Sequence, residues 1–194
     1  MTRPLRSAAA GAIIAILAVL VLAADQFTKF LALEHLPLRQ SVPVIDGVLE
    51  WYLTFNPGAA FSFGEGVTWV FTIVQAAAAT TIVVIAFRGV RSRLWAVALG
   101  LLLGGILGNL TDRLLRDPGA LQGHVVDFIN TPWMWLWFNP AIYNIADIFI
   151  VSMMISVALL VLVGLRLDGT RERRDDGRSG SDAEATATAE PEDR

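Results

Sequence analysis

Two aspartates stand out because the sequence around each of them is apolar. Asp127 lies in Val-Val-Asp-Phe-Ile and Asp147 in Ile-Ala-Asp-Ile-Phe, with no Lys or Arg within several residues. Partial desolvation disfavours a negative charge, so a carboxyl group in such a run tends to keep its proton. Two such carboxyls brought together would share one proton, and a pair of that kind can activate water for attack on an amide. The alternative is that each carboxylate separately caps a helix or binds backbone N–H groups.

Two further aspartates lie beside cations. Lys29 follows Asp25 by four positions, which on a helix allows the two to pair, and Arg113 directly follows Asp112. A nearby cation stabilises the ionised form of a carboxylate. We therefore expect Asp25 and Asp112 to serve structure or substrate orientation rather than proton transfer.

The elements that would position these residues are predicted to be transmembrane helices. The chain has 194 residues, of which 55% are hydrophobic, and its mean hydropathy is +0.57. Four runs of 18 to 21 residues carry no charge: 7–24, 67–87, 94–111 and 148–165. Each run is long enough to cross a bilayer. The fold class expected is an all-α membrane protein of four transmembrane helices, with spans at about 7–33, 67–87, 94–115 and 143–166.

The distribution of arginines predicts the orientation. Three sequence regions, at the N-terminus, after the second span and after the fourth, together carry ten arginines: Arg3, Arg6, Arg88, Arg91, Arg93, Arg166, Arg171, Arg173, Arg174 and Arg178. The two opposite segments carry only Arg39, Arg113 and Arg116, with Lys29 at a helix end. The positive-inside rule then places both termini in the cytoplasm. Segments 35–66 and 116–142 would be extracytoplasmic, residues 1–167 would form the membrane domain, and residues 168–194 a disordered cytoplasmic tail.

Three of the aspartates are expected to share one depth in the membrane. The separations Arg6 to Asp25, Arg93 to Asp112 and Asp147 to Arg166 are each 19 positions. At the helical rise this spans roughly 28 Å, close to the thickness of the hydrocarbon core. If the arginines lie at the cytoplasmic boundary, the carboxylates therefore meet near the extracytoplasmic one. Carboxylates at such a boundary are costly unless they are paired or functional.

A cleavable signal peptide at the N-terminus is a competing interpretation of the first run. Two arginines, an apolar stretch and the small pair Ala23–Ala24 fit that pattern. The apolar stretch is longer than a typical h-region, and its removal would discard Asp25. We expect it to be a retained helix.

Local patterns outside the spans predict a small sheet and a close helix contact. An Asp46-Gly47 turn between β-branched and aromatic runs predicts a β-hairpin within residues 42–55, forming a small extracytoplasmic β-sheet between helices 1 and 2. The glycines at 100, 104 and 108 form a small-xxx-small ridge, a device for helix packing. Trp133, Trp135 and Trp137 are typical of an interfacial aromatic belt.

Five segments in this order resemble the lipoprotein signal peptidase (signal peptidase II) family of bacteria. They are Asp25-Gln26 with Thr28-Lys29, Asn56-Pro-Gly-Ala-Ala-Phe61, Gly104-Gly-Ile-Leu-Gly-Asn-Leu-Thr-Asp-Arg113, Val125-Val-Asp-Phe-Ile129 and Asn144-Ile-Ala-Asp147. The resemblance implies a membrane-embedded aspartic endopeptidase of the bacterial cytoplasmic membrane, with its active site on the extracytoplasmic side. Such enzymes remove the signal peptide from lipid-modified prolipoproteins and cleave before the diacylglyceryl-cysteine.

The resemblance also implies roles for individual residues. Asp127 and Asp147 would be the catalytic pair. Substrate-binding or supporting roles would fall to Asp25, Gln26, Asn56, Gly108, Asn109, Asp112, Arg113 and Asn144. The guanidinium of Arg113 has two candidate partners, Asp112 or a substrate lipid headgroup. Tyr143 stands where the family usually has Phe, and no motif matches residues 130–142.

The expected partners are lipidated prolipoprotein substrates and membrane lipids, with the protein acting as a monomer. No basic patch with interleaved aromatics suggests nucleic acid. The chain has no cysteine, its two histidines are isolated, and neither a metal nor another cofactor is expected. The main alternative function is a small proton-coupled membrane transporter, which would use intramembrane carboxylates as a relay. A non-enzymatic scaffold is a second alternative, but it would leave the aspartates without a purpose.

Overall fold

Four long helices form the body of the protein. The computed structural model describes residues 5–58, 68–119, 121–135 and 141–171. The helices are α1 (Ser7–His35), α2 (Thr68–Phe87), α3 (Arg93–Leu115) and α4 (Ile145–Leu162). All four are long and apolar enough to cross a membrane, which confirms the expected helix count for the described residues.

The outward faces of the helices are apolar, as in a protein whose surroundings are lipid. Leu20 on α1 is 59% exposed, and Val151 and Met154 on α4 are 58% and 59% exposed. A water-soluble protein rarely presents such contiguous apolar surface. Inside the bundle, by contrast, lie buried polar residues that include Asp25, Lys29 and Asp112. This arrangement suits a bilayer, in which polar groups must find partners inside the protein.

Helix α3 lies at the centre and packs against the other three helices. Its glycine ridge makes the close contacts possible. A Cβ atom built on Gly104 would lie 2.6 Å from Cβ of Val21 on α1. One built on Gly105 would lie 2.7 Å from the carbonyl oxygen of Ala146 on α4. Side chains at these positions would force the helices apart, so the ridge brings the polar residues of three helices within bonding distance.

A three-stranded antiparallel sheet lies at one end of the bundle. Its strands are β1 (Ser41–Ile45), β2 (Leu49–Asn56) and β3 (Val125–Asn130), in the order β1-β2-β3. The hairpin β1–β2 is confirmed, and Gly47 in its turn has φ of 69°, in the left-handed region that glycine adopts easily. The prediction of a sheet confined to the segment between the first two helices was too narrow. Its third strand comes from between α3 and α4, and this strand is buried along its whole length.

Strand β3 is also tied to the start of α4. Tyr143 and Ile129 exchange backbone hydrogen bonds of 3.0 Å and 2.8 Å, just before α4 begins. A short 3₁₀ helix (Pro132–Trp135) follows β3. This pairing connects the strand that carries Asp127 to the helix that carries Asp147.

At the opposite end of the bundle three chain segments meet. The N–H of Leu5 donates to Arg91, and the N–H of Arg91 donates to Leu167, both at 2.9 Å. The regions that carry Arg6, Arg93 and Arg166 therefore lie at one end of the bundle, which is the arrangement that the comparison of depths assumed. The predicted positions of Trp137 and of the tail beyond residue 171 lie outside the described residues.

Candidate active site

Asp127 lies in the middle of β3, where its carboxylate is only 2% exposed. It stands opposite Thr54 of β2 in the sheet register. Two side-chain amides donate to it: Asn56 to Oδ2 at 2.9 Å and Asn144 to Oδ1 at 2.7 Å. Neutral donors from two elements thus hold both oxygens of this carboxyl group.

Asp147 lies in the first turn of α4, where a capping box fixes it. Asn144 is the N-cap, and its Oδ1 accepts from the N–H of Asp147 at 3.0 Å. Oδ2 of Asp147 accepts in return from the N–H of Asn144 at 3.1 Å. Its Oδ1 accepts from Nδ2 of Asn109 on α3 at 2.7 Å. The reciprocal bonds satisfy two N–H groups that a helix start otherwise leaves free.

Asp127 and Asp147 open into one cavity. It has a volume of about 650 Å³ and reaches from the sheet to the apolar faces of α2 and α4. The sequence placed these residues 20 positions apart on two different elements, and Asn144 contacts both of them. The structure therefore brings the two predicted carboxyls together. Besides the two carboxyl groups, the polar lining of the cavity includes three amides, Asn56, Gln75 and Asn109, and the guanidinium of Arg113.

The environment of Asp127 favours its protonated form. Burial is the main cause and the negative charge of Asp147 the next, and together they raise the pKa of Asp127 to about 7. Hydrogen bonds from Asn56 and Asn144 oppose this effect. A carboxyl with a pKa near neutrality can exchange a proton at working pH, which is what general acid–base chemistry needs.

A buried ion cluster lies beneath the two carboxyls. Nζ of Lys29 is 2.8 Å from Asp25 and 2.8 Å from Asp112, and all three side chains are fully buried. The pairing of Asp25 with Lys29 was predicted from their spacing. The same ammonium donates to Oδ1 of Asn109 at 3.0 Å. Because Lys29 can only donate, it forces the amide nitrogen of Asn109 toward Asp147.

Asp112 joins α3 to the sheet rather than facing Arg113. Its carboxylate accepts from Nε of Arg116 at 2.7 Å and from the N–H of Val126 at 3.2 Å. A cation does lie beside Asp112, as expected, but it is Arg116 and not the predicted Arg113. Consecutive residues on a helix point in different directions, whereas Arg116, four positions later, lies on the same face.

Asp25 joins α1 to the start of α4. Its Oδ1 accepts from the N–H of Ala146 at 2.9 Å. Gln26 donates to Asp25 and Asp112, both at 3.2 Å, and to the carbonyl of Gly108 at 3.1 Å. A Cβ atom on Gly108 would lie 2.6 Å from Oδ2 of Asp25, so this position leaves room only for glycine. These contacts fix the depth of α4, and hence of Asp147.

Arg113 lies at the wall of the cavity and holds the loop after β2. Its guanidinium donates to the carbonyl oxygens of Gly58 and Pro57, and its Cζ is 5.7 Å from the centre of the Phe71 ring. Its Nε is buried without a hydrogen-bond partner among the described residues. The structure thus gives Arg113 two backbone carbonyl groups as partners in place of Asp112, and its contact with a substrate lipid headgroup stays a prediction.

Sequence reasoning missed three features of this site. It did not find the second partner of Lys29, the role of Arg116, or the position of Gln75 at the cavity wall. The four-residue spacing of Asp112 and Arg116 was a usable signal for the second. The other two depend on how the helices rotate against one another, which local spacing does not encode. Within the described ranges, no group of three or more metal-ligating side chains comes together.

The fold and site define a multi-pass membrane protein with a pair of carboxyl groups in one cavity at an end of its helix bundle. The family model described as "Signal peptidase (SPase) II" matches residues 17–165. The chain belongs to this family.

Relatives and a solved structure agree with this assignment. The lipoprotein signal peptidase of Leifsonia xyli subsp. xyli is 44% identical over 182 residues, covering 94% of this chain and 81% of the relative. That of Mycobacterium tuberculosis (strain ATCC 25618 / H37Rv) is 42% identical over 163 residues, covering 82% and 76%. A solved bacterial membrane enzyme superposes with a TM-score of 0.67 at 29% identity, covering 82% of this chain and 93% of that one. These comparisons give no support to the transporter alternative.

Proposed function

We propose that this protein is a membrane aspartic endopeptidase that removes the signal peptide from lipid-modified prolipoproteins, cleaving before the diacylglyceryl-cysteine. The family match and the names of the relatives support the protease and its lipoprotein substrates. One observation carries the aspartic mechanism: Asn144 contacts both Asp127 and Asp147, and both line a single cavity.

In the proposed reaction the two carboxyl groups share one proton. The ionised member takes a proton from a water molecule, which attacks the carbonyl carbon of the scissile amide. The protonated member donates a hydrogen bond to the carbonyl oxygen and later a proton to the leaving amine. General acid–base help of this kind is typically worth ~10²–10⁴-fold in rate. The raised pKa of Asp127, about 7, supports a pair that holds one proton near neutral pH.

The cavity suits an apolar, extended substrate. Its walls include Val74 of α2 and Ile148 and Val151 of α4, which match the apolar core of a signal peptide or an acyl chain. A peptide in extended form exposes N–H and C=O groups that need partners within the membrane. Asn56 and Arg113 line the same cavity and are the proposed contacts for those groups.

The surrounding residues are proposed to act in two groups. Asn56, Asn109 and Asn144 touch the carboxyl groups and orient them. The second group consists of Asp25, Gln26, Gly108 and Asp112. These residues hold the first group in place by joining α1, α3, α4 and β3.

The proposed topology has both termini in the cytoplasm and the site on the extracytoplasmic side of the bacterial cytoplasmic membrane. The clustering of Arg6, Arg93 and Arg166 at the end opposite the sheet supports it through the positive-inside rule. Residues 1–167 are proposed as the membrane domain and residues 168–194 as a cytoplasmic tail. We further propose that the enzyme works as a monomer, since the pair, its donors and its cavity come from one chain.

The test is cleavage of a lipidated prolipoprotein by the purified protein, followed by the gel shift of the product. Asp127→Asn and Asp147→Asn keep the side-chain volume but cannot carry the shared proton, so each should lose at least ~10²-fold in rate. Asp168→Asn, an exposed carboxylate beyond α4, is the matched control and should cleave normally. Wild-type cleavage by either variant of the pair would remove that residue from the catalytic role. A precursor without its lipid should remain uncut.

A further inference from the structure

A second cavity, of about 860 Å³, lies beside the sheet and shares no lining residue with the cavity that holds the two carboxyls. Its lining comes from the end of α1, the start and end of the hairpin, and the connection between α3 and β3. Its charged and titratable residues are Arg39, Arg116, Asp117 and His124. None of them touches Asp127 or Asp147 in the described structure, so this cleft has no part in the proposed reaction.

The hydrogen-bond donors of the cleft favour an anion. Its described lining residues include two guanidinium groups, Arg39 and Arg116, and one carboxylate, Asp117, while Arg116 also pairs with Asp112. Arg116 pairs with Asp112 through its Nε atom, its terminal nitrogens make no hydrogen bond to any described residue, and its side chain is 28% exposed and lines the cleft. The N–H of Arg39 donates to the carbonyl of Leu53 at 2.9 Å, which anchors this residue to β2. Planar guanidinium groups present paired donors that match the oxygens of a phosphate.

The position of the cleft selects a lipid over a soluble anion. Leu33 near the end of α1 and Leu115 at the end of α3 form part of its lining. The apolar surface nearby is open: Leu115 is 79% exposed, Leu38 is 50% and Leu114 is 43%. These helix ends mark the boundary of the membrane, where phospholipid phosphates lie directly above acyl chains. Cations above exposed leucines match that arrangement of phosphate and chain.

We propose that this cleft binds the phosphate group of an anionic phospholipid, in the leaflet at the sheet-bearing end of the bundle. A headgroup with its own cation would place that cation near Arg39, so the cleft prefers a headgroup without one. The bound lipid bridges the segment before β1 to the segment before β3. It thereby fastens the sheet to the ends of α1 and α3.

The experiment is native mass spectrometry of the full-length protein in detergent, titrated with phosphatidylglycerol or with phosphatidylcholine. The expected result is one retained phosphatidylglycerol, bound roughly fivefold or more tightly than phosphatidylcholine. Arg39→Gln should lower the affinity for phosphatidylglycerol by about fivefold, since one basic residue near a lipid surface contributes about 1 kcal/mol. Arg91→Gln removes the same charge from an exposed position at the other end of the bundle and should change nothing.

Three results would overturn the proposal. Equal affinity for the two lipids would show that the headgroup charge is not recognised. Equal losses in Arg39→Gln and Arg91→Gln would show that binding follows overall charge instead of this cleft. Displacement of the lipid by millimolar inorganic phosphate would show that the cleft takes a free anion and not a phospholipid.

Discussion

The side chain of Asn144 donates a 2.7 Å hydrogen bond to Oδ1 of Asp127. The same residue is the N-cap of α4, and its backbone N–H donates to Asp147. One residue therefore caps the first turn of α4 and holds the two carboxyl groups in a fixed arrangement. It joins a strand from the sheet to a helix from the bundle, so the site depends on how these two parts of the protein meet.

Replacing Asn144 should impair both activity and stability. Asn144→Ala removes a helix cap, which costs about 1 kcal/mol, and it leaves buried acceptors on Asn109 and Val126 without this donor, which costs a further ~1–3 kcal/mol. It also frees Asp127 and Asp147 to shift relative to each other, and a displacement of about 1 Å can cost ~10²-fold in rate. Cleavage kinetics and thermal unfolding in detergent measure the two effects. Asn130→Ala is the control, because Asn130 lies on β3 like Asp127 but donates its side-chain hydrogen bond to Glu50. Equal activity of the two variants would contradict the role assigned to Asn144.

The ion cluster of Lys29 is expected to behave as a coupled unit. Lys29→Met leaves two carboxylates buried without their shared cation and should cost about 3–5 kcal/mol in the free energy of unfolding. Asp25→Asn in the same chain should recover part of that loss, because it removes one unpaired charge. A double-mutant cycle on the two positions measures the coupling. Strictly additive losses would show that the 2.8 Å contact carries no coupling energy. Arg88→Met, at an exposed position, is the control.

Gly108 should tolerate no side chain. A Cβ atom there would lie 2.6 Å from Oδ2 of Asp25 and 3.1 Å from Cβ of Ala146. Gly108→Ala should therefore cost about 1–3 kcal/mol of overpacking and displace α4, with a loss of cleavage rate. Gly11→Ala is the matched control on α1, since a Cβ atom there meets nothing within 4 Å. The midpoint of thermal unfolding should fall in the first variant and hold in the second. Two unchanged midpoints would mean that the helices pack less closely than described.

The free energy of unfolding should depend on pH through the protonation of Asp127. Its pKa is about 7 in the folded protein against 3.8 for an unperturbed aspartate, so the folded state binds more protons between these values. The free energy of unfolding therefore falls as the pH rises from about 4 to 7. Asp127→Asn removes this loss, which is at most roughly 4 kcal/mol. The variant should match the wild type near pH 4 and exceed it near pH 8.

The control for this pH experiment is Asp168, whose pKa is shifted in the opposite direction from that of Asp127. Hydrogen bonds from Thr170 lower the pKa of Asp168, so its contribution to stability is lost on acidification. Asp168→Asn should therefore bring no gain at neutral pH. Thermal unfolding at a series of pH values tests both variants. A wild type and an Asp127→Asn variant with parallel pH profiles would contradict the raised pKa.

The helices and the hairpin could be predicted because their signals are local. Uninterrupted apolar runs mark the spans, and an Asp-Gly turn marks the junction of β1 and β2. The third strand could not be predicted in the same way. Val125–Asn130 is a short, mostly apolar segment that pairs with a strand about 70 to 80 positions earlier, and local periodicity does not encode such a partner.

The same distinction holds within the site. The pairing of Lys29 with Asp25 follows from helical spacing, whereas its contact with Asp112 depends on the packing of α1 against α3. Local charge separated Asp127 and Asp147 from the aspartates that lie beside cations. Across the described residues, ion pairs involve Asp25 and Asp112, and Asn109 separates Lys29 from Asp147. The catalytic role of Asp127 and Asp147 stays a prediction.

The cleavage rates of Asp127→Asn, Asp147→Asn and the double variant, measured on one lipidated prolipoprotein, test most directly whether the two carboxyl groups act as a pair. Residues that share one proton and one water fail together, so the double variant should be no slower than either single variant. Losses that multiply in the double variant, or a single variant that cleaves like the wild type, would contradict the pair.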